Sequence, residues 1–282
     1  LLAFAVGSVI AGVIVGLMLL PFAGAAGVIT RDVISDFESL PVSLSTPPLP
    51  ERSVILASDG SLLATLYYQN RVEVPLNSIA PVMRQAIIAI EDVRFLEHNG
   101  VDARGVVRAL ARNTTAGGIE QGSSTLTMQY IKNVLVNQAT SAEDLDQARG
   151  DSFTRKIHEA RLALALEKRF SKGEILARYL NIAYFGSGAY GVEAAARRYF
   201  SKPAADLNLI EAATLAGIVK GPTAYDPLRN PENATQRRNV ILQRMVTAGF
   251  ITPEQSARAT AIPMEDVLNP TRTSNGCTSS YA

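Results

Sequence analysis

The chain of 282 residues contains no tryptophan, two histidines and one cysteine, Cys277. A single cysteine excludes an intrachain disulfide and a cysteine-based zinc site, and two histidines argue against a multi-histidine metal site. Neither sign of charge is in excess. The 27 lysines and arginines nearly balance the 26 aspartates and glutamates, which leaves a net charge of +1. The totals therefore show no basic surplus for nucleic acid, and we expect no nucleic-acid partner.

The N-terminal part lacks charge altogether, because no Asp, Glu, Lys or Arg lies between Leu1 and Thr30. Residues 1–26 are apolar or small, and about twenty such residues suffice for a helix to cross a bilayer. A cleaved signal peptide is the alternative, because residues 23–26 are small enough for a cleavage site. The apolar run is longer than a usual signal core, so the sequence favours an uncleaved transmembrane anchor over residues 1–29.

The next segments lack helical periodicity. Residues 30–52 include four closely spaced prolines, Pro41, Pro47, Pro48 and Pro50, which predicts an extended extracytoplasmic linker. Within residues 53–76, two apolar runs flank Asp59-Gly60, a pattern typical of a β-hairpin. Residues 71–74 alternate and favour a third short strand.

From residue 80 onward the apolar residues recur with helical spacing, which predicts a mainly α fold. The stretch at residues 137–152 is polar and is interpreted as a surface loop. Helices are predicted at residues 103–113, 125–136, 153–170, 172–184, 192–200, 208–219, 231–248 and 253–260.

Two adjacent carboxylates, Glu91 and Asp92, follow the apolar stretch at residues 86–90. On a helix Glu91 lies over Ile87 and Ile88, with Phe95 one turn further on. An apolar setting raises the pKa of a carboxyl, and a raised pKa suits general acid–base chemistry. For an isolated pair of acids, local capping or ion pairing is the simpler interpretation.

Two further patterns carry chemistry. Glycines and hydroxyls at residues 117–125 precede a predicted helix, an arrangement that suits an anion but also an ordinary capped helix. Glu159 lies on the apolar stripe of its own helix, where an unpaired carboxylate is costly. Arg155 lies one turn earlier and is a candidate partner, with Lys156 beside it, so the pattern suits either a structural ion pair or a reactive site.

These patterns belong to an ordered set of five motifs. The set resembles the peptidoglycan glycosyltransferase domain of class A penicillin-binding proteins, glycosyltransferase family 51. The residues that carry the resemblance are Glu91-Asp92-x-x-Phe95-x-x-His98-x-Gly100-x-Asp102, Gln121-Gly122-Ser123-Ser124-Thr125-Leu126-Thr127-Met128-Gln129, Arg155-Lys156-x-x-Glu159, Tyr179-Leu180-Asn181 with Gly186, Gly188 and Gly191, and Glu211-Ala212-Ala213-x-Leu215-Ala216 with Arg237-Arg238.

The resemblance implies polymerisation of lipid II, with inversion at the sugar carbon and release of polyprenyl pyrophosphate. It implies that Glu91 is the general base and that Glu159 lies near the pyrophosphate, where it would hold a divalent metal, Mg or Mn, or orient basic residues. The remaining implied substrate-binding residues are Asp92, Gln121, Ser124, Thr125, Gln129, Arg155, Lys156 and Asn181.

The implied architecture is a lysozyme-like helical lobe over residues 77–262, with a smaller membrane-associated jaw near residues 104–136. Residues 263–282 would form a linker toward a transpeptidase domain that this sequence does not contain, since it has no Ser-x-x-Lys or Lys-Thr-Gly motif. The implied location is the bacterial cell membrane, single-pass, with the catalytic lobe outside. The implied partners are lipid II, the growing glycan chain, membrane lipid and other cell-wall synthesis and division proteins.

Two other functions compete with this interpretation. A lysozyme-like lytic glycosidase or transglycosylase would share a helical lobe and a catalytic glutamate, but it does not account for Arg155, Lys156 and the apolar anchor. A non-catalytic membrane scaffold for cell-wall synthesis would not need the acids.

The anchor yields a testable prediction. Deleting residues 1–26 should leave a folded lobe that still binds lipid weakly through the apolar residues of the jaw, because each buried apolar side chain contributes about 1.5–3 kcal/mol. Liposome flotation of the truncated chain measures this binding. Complete recovery in the aqueous fraction, at low salt and with anionic lipid present, would contradict it.

Overall fold

The structure, a computed structural model, describes residues 46, 48–105, 124–150, 152–272 and 274–277. Within these ranges the protein is mainly helical, as predicted. The predicted anchor at residues 1–29, Gln121 and most of the predicted jaw lie outside the described residues. In the part of the chain that is described, no helix combines the length and apolarity needed to cross a bilayer.

The predicted hairpin is present. Strands β1 (Ser53–Leu56) and β2 (Leu62–Leu66) pair antiparallel. In the turn, Asp59 Oδ1 accepts hydrogen bonds from the backbone N–H and the hydroxyl of Ser61 at 2.9 and 2.6 Å. Gly60 has a φ of 85°, which glycine adopts without steric cost. Local turn chemistry is therefore sufficient to account for the hairpin.

The third strand differs from its prediction. Strand β3 comprises Asn70–Arg71 and pairs in parallel with β4 (Ala189–Tyr190), not with the hairpin. The hairpin sheet is completed by β5 (Gly276–Cys277), which pairs with β2. A strand of two residues is too short to show periodicity, so the sequence of residues 263–282 gave no indication of β5.

Predicted helices whose first turn is capped by a side chain begin at the predicted residue or at the next one. Ser152, Ser171, Asn208 and Thr252 each accept a hydrogen bond from a backbone N–H of the first turn. The helices are α1 (Pro81–Glu91), α2 (Leu126–Gln138), α3 (Ala142–Arg149), α4 (Phe153–Leu166), α5 (Lys172–Ile182), α6 (Val192–Phe200), α7 (Leu209–Ile218), α8 (Pro231–Thr247), α9 (Pro253–Thr260) and α10 (Met264–Val267).

Helix α3 corrects the prediction of a loop at residues 137–152. Ser141 and Asp144 form a capping box, in which the serine hydroxyl accepts from Asp144 N and the aspartate accepts from Ser141 N. Ala148 is the one residue of this helix that is buried. A helix with so small an apolar face gives almost no periodic signal, and its cap was the only usable sign.

The core is organised around α7, which is buried from Glu211 to Ile218. This helix packs against α1 and α8, while α2 packs against α4 and α5. Helix α1 ends at Glu91, and a hydrogen bond from α2 to the Glu91 side chain joins the two groups of helices at that point. The packing therefore brings α1, α2 and α5 to one point.

Asn181 fastens α5 to the segment that follows β3. Its side-chain oxygen accepts from Val74 N at 3.1 Å, and its amide donates to Val74 O at 2.8 Å. Its backbone carbonyl accepts from Nε of the fully buried Arg71 at 3.0 Å. The Asn181 side chain therefore replaces a missing strand partner for Val74.

We predict that Asn181→Ala lowers the free energy of unfolding by about 1–3 kcal/mol, because it leaves both backbone groups of Val74 without their partner. Urea unfolding of the full chain measures the loss. The control is Asn233→Ala at an exposed position on α8, which should change stability by less than about 0.5 kcal/mol. Equal unfolding midpoints for the two variants would refute the role of Asn181.

Candidate active site

Glu91 is the last residue of α1, and its carboxylate meets side chains from two other helices. Gln129 Nε2, from α2, donates to Glu91 Oε2 at 2.8 Å. The Gln129 carbonyl oxygen in turn accepts from the hydroxyl of Tyr179, on α5, at 3.1 Å. Ile87 and Ile88, which the sequence placed beneath Glu91, are both buried.

Burial raises the pKa of Glu91 above its ordinary value. The hydrogen bond from Gln129 and the positive charges of Arg237 and Lys220 act in the opposite direction, and the neighbouring Asp92 adds to the rise. This agrees with the expectation from the apolar setting, and a partly desolvated carboxylate is a stronger base than a hydrated one.

Asp92 faces a different environment, because α1 ends between the two acids. Its carboxylate oxygens lie 3.0 and 2.9 Å from His98 Nε2, and Oδ2 accepts from Leu126 N at 3.1 Å. Asp92 is 8% exposed. It therefore ties the loop after α1 to the first turn of α2.

Glu91 opens into a cleft of about 430 Å³. Six of the residues predicted for the site line this cleft together: Glu91, Ser124, Gln129, Arg155, Lys156 and Glu159. The other lining residues are Met128, Lys132, Asn133, Tyr179, Ala183, Tyr184, Val219, Lys220 and Pro222.

Positive charge dominates the described lining of this cleft. Its cations are Lys132, Arg155, Lys156 and Lys220, and its carboxylates are Glu91 and Glu159. Cations that converge in a concave site raise the local concentration of an anionic ligand and stabilise charge that develops there. The lining therefore suits a multiply charged anion beside a base.

Glu159 is 2% exposed and forms an ion pair with Arg155, one turn earlier on α4. Burial raises the pKa of Glu159, and the charges of Arg155, Lys132 and Lys156 oppose the rise. Arg155 Nε also donates to the carbonyl of Gly150, just after α3. The sequence suited either a structural ion pair or a reactive site; the structure shows the ion pair and places both residues on the cleft.

Three predicted substrate-binding residues are not among those that line the cleft. Asp92 bonds to His98 and α2, and both polar atoms of the Asn181 side chain bond to Val74. The Thr125 hydroxyl donates to Gly100 O at 2.6 Å and caps α2 by accepting from Met128 N. Substrate binding by these residues stays a prediction, and Gln121 lies outside the described residues.

Lys132, Tyr184 and Lys220 are among the cleft residues that sequence reasoning missed. Lys132 lies three residues after Gln129 on α2, so helical spacing could have placed both on one face. Tyr184 and Lys220 follow the ends of α5 and α7. Segments that follow a helix have no regular period, and no local pattern marked either residue.

The resemblance implies a divalent metal at Glu159. Glu159 supplies one carboxylate, which already accepts a hydrogen bond from Arg155. Over the described ranges, no group of three or more His, Cys, Asp and Glu side chains is placed to hold a metal ion. Magnesium commonly binds through one or two carboxylates together with phosphate oxygens. A single carboxylate would therefore fit only an ion whose other ligands come from a phosphate group.

Comparison with known proteins agrees with the motifs. Residues 59–246 match the family model described as Transglycosylase. The chain belongs to the transglycosylase family. This transglycosylase domain is 42% identical over 215 residues to penicillin-binding protein 1A of Aquifex aeolicus, and 40% identical over 207 residues to penicillin-binding protein 1F of Bacillus subtilis.

These matches cover 76% and 73% of this chain but 28% of each relative, so the transglycosylase domain spans less than a third of their length. A crystal structure of penicillin-binding protein 1A from Haemophilus influenzae aligns with a TM-score of 0.43 at 22% identity, over 82% of this chain and 22% of that one. The family model and the two relatives confirm, at the level of the family, the resemblance to class A penicillin-binding proteins.

Proposed function

We propose that this transglycosylase domain polymerises lipid II into β-1,4-linked glycan strands, with inversion and release of polyprenyl pyrophosphate. The observation that carries the proposal is the shared cleft. A partly desolvated carboxylate, Glu91, and four cations line the same cavity. A base and a separate anion-binding group are what a transfer from a pyrophosphate donor requires.

Glu91 acts as the base in this proposal. The 4-hydroxyl of the acceptor sugar attacks C1 of the donor sugar, and its proton passes to Glu91 as the new C–O bond forms. The bond between C1 and the lipid pyrophosphate breaks on the opposite face, and its electron pair leaves with the pyrophosphate oxygen. The configuration at C1 is therefore inverted.

The cations stabilise the leaving group. Lys156 is exposed on α4 and lines the cleft, and Lys132 and Lys220 lie on other segments of the same lining. Arg155 is held by Gly150 O and Glu159, so its guanidinium is oriented before substrate arrives. Preoriented charges stabilise a developing anion without a reorganisation cost.

The four cations of the cleft make a lytic glycosidase the weaker candidate, because its reaction releases no anion for them to stabilise. Cleavage of a glycan strand releases an uncharged sugar hydroxyl, which has no need of four positive side chains. Supplying lipid II and finished peptidoglycan in parallel separates the two functions, since the proposal requires turnover of lipid II. A chain that degrades finished peptidoglycan and ignores lipid II would support the glycosidase.

We also propose that Glu159 contributes the protein ligand to Mg or Mn when such an ion accompanies the pyrophosphate. The ion would supply further positive charge to the phosphate oxygens. The buried carboxylate of Glu159 at the cleft supports this arrangement, because it is an oxygen ligand of the kind that Mg prefers.

The membrane location is part of the proposal. The substrate's lipid tail remains in the bilayer while its sugars lie outside, so the catalytic lobe must be held near the outer headgroups. The uncharged stretch at residues 1–29 and the proline-rich segment after it support a single-pass anchor with a short tether. The smaller jaw near residues 104–136 would add contact with lipid beside the lysozyme-like lobe.

The role of Glu91 is tested by Glu91→Gln. This substitution keeps the size of the side chain and removes its basicity, so polymerisation should fall about a hundred- to ten-thousandfold. Glycan length on a gel, after incubation with lipid II, measures the loss. Glu97→Gln changes an exposed glutamate outside the cleft lining and should retain near wild-type turnover. Comparable activity in the two variants would remove Glu91 as the base.

The anion site is tested by Lys156→Met and Arg155→Met. Each removes a charge-assisted hydrogen bond, so lipid II turnover should fall about ten- to a hundredfold. Binding of a phosphoglycolipid inhibitor such as moenomycin should weaken as well. Lys168→Met, at an exposed position outside the cleft lining, is the matched control. Unchanged inhibitor affinity in both cleft variants would place the pyrophosphate elsewhere.

A further inference from the structure

Three side chains from three helices form one line of hydrogen bonds that ends on Glu91. The Tyr179 hydroxyl donates to Gln129 Oε1 at 3.1 Å, and Gln129 Nε2 donates to Glu91 Oε2 at 2.8 Å. Tyr179 is fully buried at the inner end of the line, while Glu91 lies at the cleft. Neither Gln129 nor Tyr179 carries charge, so neither supplies an ion pair to the base.

We infer that Gln129 and Tyr179 are positioning residues that hold Glu91 ionised and oriented toward the acceptor hydroxyl. The inference rests on the proposed role of Glu91 as the base. It assigns Gln129 a function toward the protein's own carboxylate, in place of direct contact with substrate, and it gives Tyr179 a function beyond packing.

The chemistry of the amide explains why both residues are needed. A glutamine side chain can present either its NH₂ group or its carbonyl oxygen to a neighbour. If the amide turned over, its oxygen would face Glu91 Oε2, and two acceptors would be opposed. The Tyr179 hydroxyl donates to the carbonyl oxygen and so keeps the NH₂ group toward Glu91.

Tyr179 remains a donor because burial, together with the charge of Glu91, raises its pKa well above 10. The phenol therefore stays protonated across the pH range in which a carboxylate base works. The Tyr179 donor therefore holds the Gln129 amide in one orientation over that range, and the NH₂ group of Gln129 bonds more strongly to the ionised form of Glu91 than to the protonated form.

The position of Gln129 is set by contacts at the start of α2. Asp92 accepts from Leu126 N, and Thr125 donates to Gly100 O, so the first turn of α2 is fixed to the loop after α1. Gln129 lies one turn further along, opposite Glu91. The two adjacent acids therefore both bond to α2, one through the backbone and one through Gln129.

The ionisation of Glu91 depends on groups from several elements. Burial raises its pKa, the Gln129 bond lowers it, Arg237 on α8 and Lys220 after α7 lower it, and Asp92 raises it. The other charged groups of the cleft lining are Lys132, Arg155, Lys156 and Glu159. A base must be ionised to accept a proton, so loss of the Gln129 donor moves the acid limb of the activity profile to higher pH.

The test measures the pH dependence of kcat/KM for lipid II in Gln129→Leu and Tyr179→Phe, with the full chain in detergent. A hydrogen bond to a charged group corresponds to about one pKa unit or more, so the acid limb of Gln129→Leu should move up by about one pH unit. Tyr179→Phe should move it in the same direction by a smaller amount. Activity should recover at high pH in Tyr179→Phe, where Glu91 is ionised without help.

Tyr199→Phe is the matched control. Tyr199 is also fully buried, and its hydroxyl donates to Phe185 O at 2.8 Å, but it does not line the cleft. Its variant should lose similar stability in urea and leave the acid limb unmoved. A purely structural role of Tyr179 would make the two phenylalanine variants behave alike, and that result would overturn the inference.

A second measurement separates this inference from the proposed function. Carbon-13 NMR of labelled glutamate carboxyls, with the Glu91 signal identified by its loss in Glu91→Gln, gives the pKa of Glu91 without any turnover. A higher pKa in Gln129→Leu supports the positioning role even if lipid II is not polymerised. An unchanged pKa in both variants rejects the role even if lipid II is polymerised, and Tyr179→Phe answers the question if Gln129→Leu fails to fold.

Discussion

Partial removal of the Glu91 carboxylate from water is the constraint on which the rest of the site depends. A buried charge is tolerated when donors and opposite charges replace its hydration. Here Gln129 donates to Glu91, and Arg237 and Lys220 supply positive charge from other elements. Burial raises the pKa of Glu91, and these contacts oppose the rise and favour its ionised form.

The neighbouring acids illustrate how a helix end separates functions. Glu91 is the last helical residue of α1 and faces the cleft, whereas Asp92 has left the helix and bonds to His98 and Leu126 N. One acid is available to a ligand and the other holds two elements together. The same α2 helix contacts both, so the geometry of Glu91 and the packing of the lobe are coupled.

The Arg155–Glu159 pair couples the cleft to the segment that carries α3. Arg155 donates both to Glu159 and to Gly150 O, at the end of that segment. A long flexible cation would lose conformational entropy on binding an anion, and these two contacts impose that cost during folding instead. The polar segment between α2 and α4 thus has a structural consequence for the site.

Local patterns along the chain were enough to predict the helices from α4 to α9, the hairpin at Asp59-Gly60 and the partly desolvated state of Glu91. Caps, turn residues and the spacing of apolar side chains act over only a few residues, so each could be recognised without a fold. The ordered motifs also predicted the family, and with it six residues that line the cleft.

Packing in three dimensions was required for the remainder. The pairing of β3 with β4, the attachment of Asn181 to Val74 and the arrival of Lys220 beside Glu91 join residues far apart in the chain. The line from Tyr179 through Gln129 to Glu91 is of the same kind, because it joins three helices. No local propensity encodes such contacts, since each depends on how buried helices pack and on which polar groups must then satisfy one another.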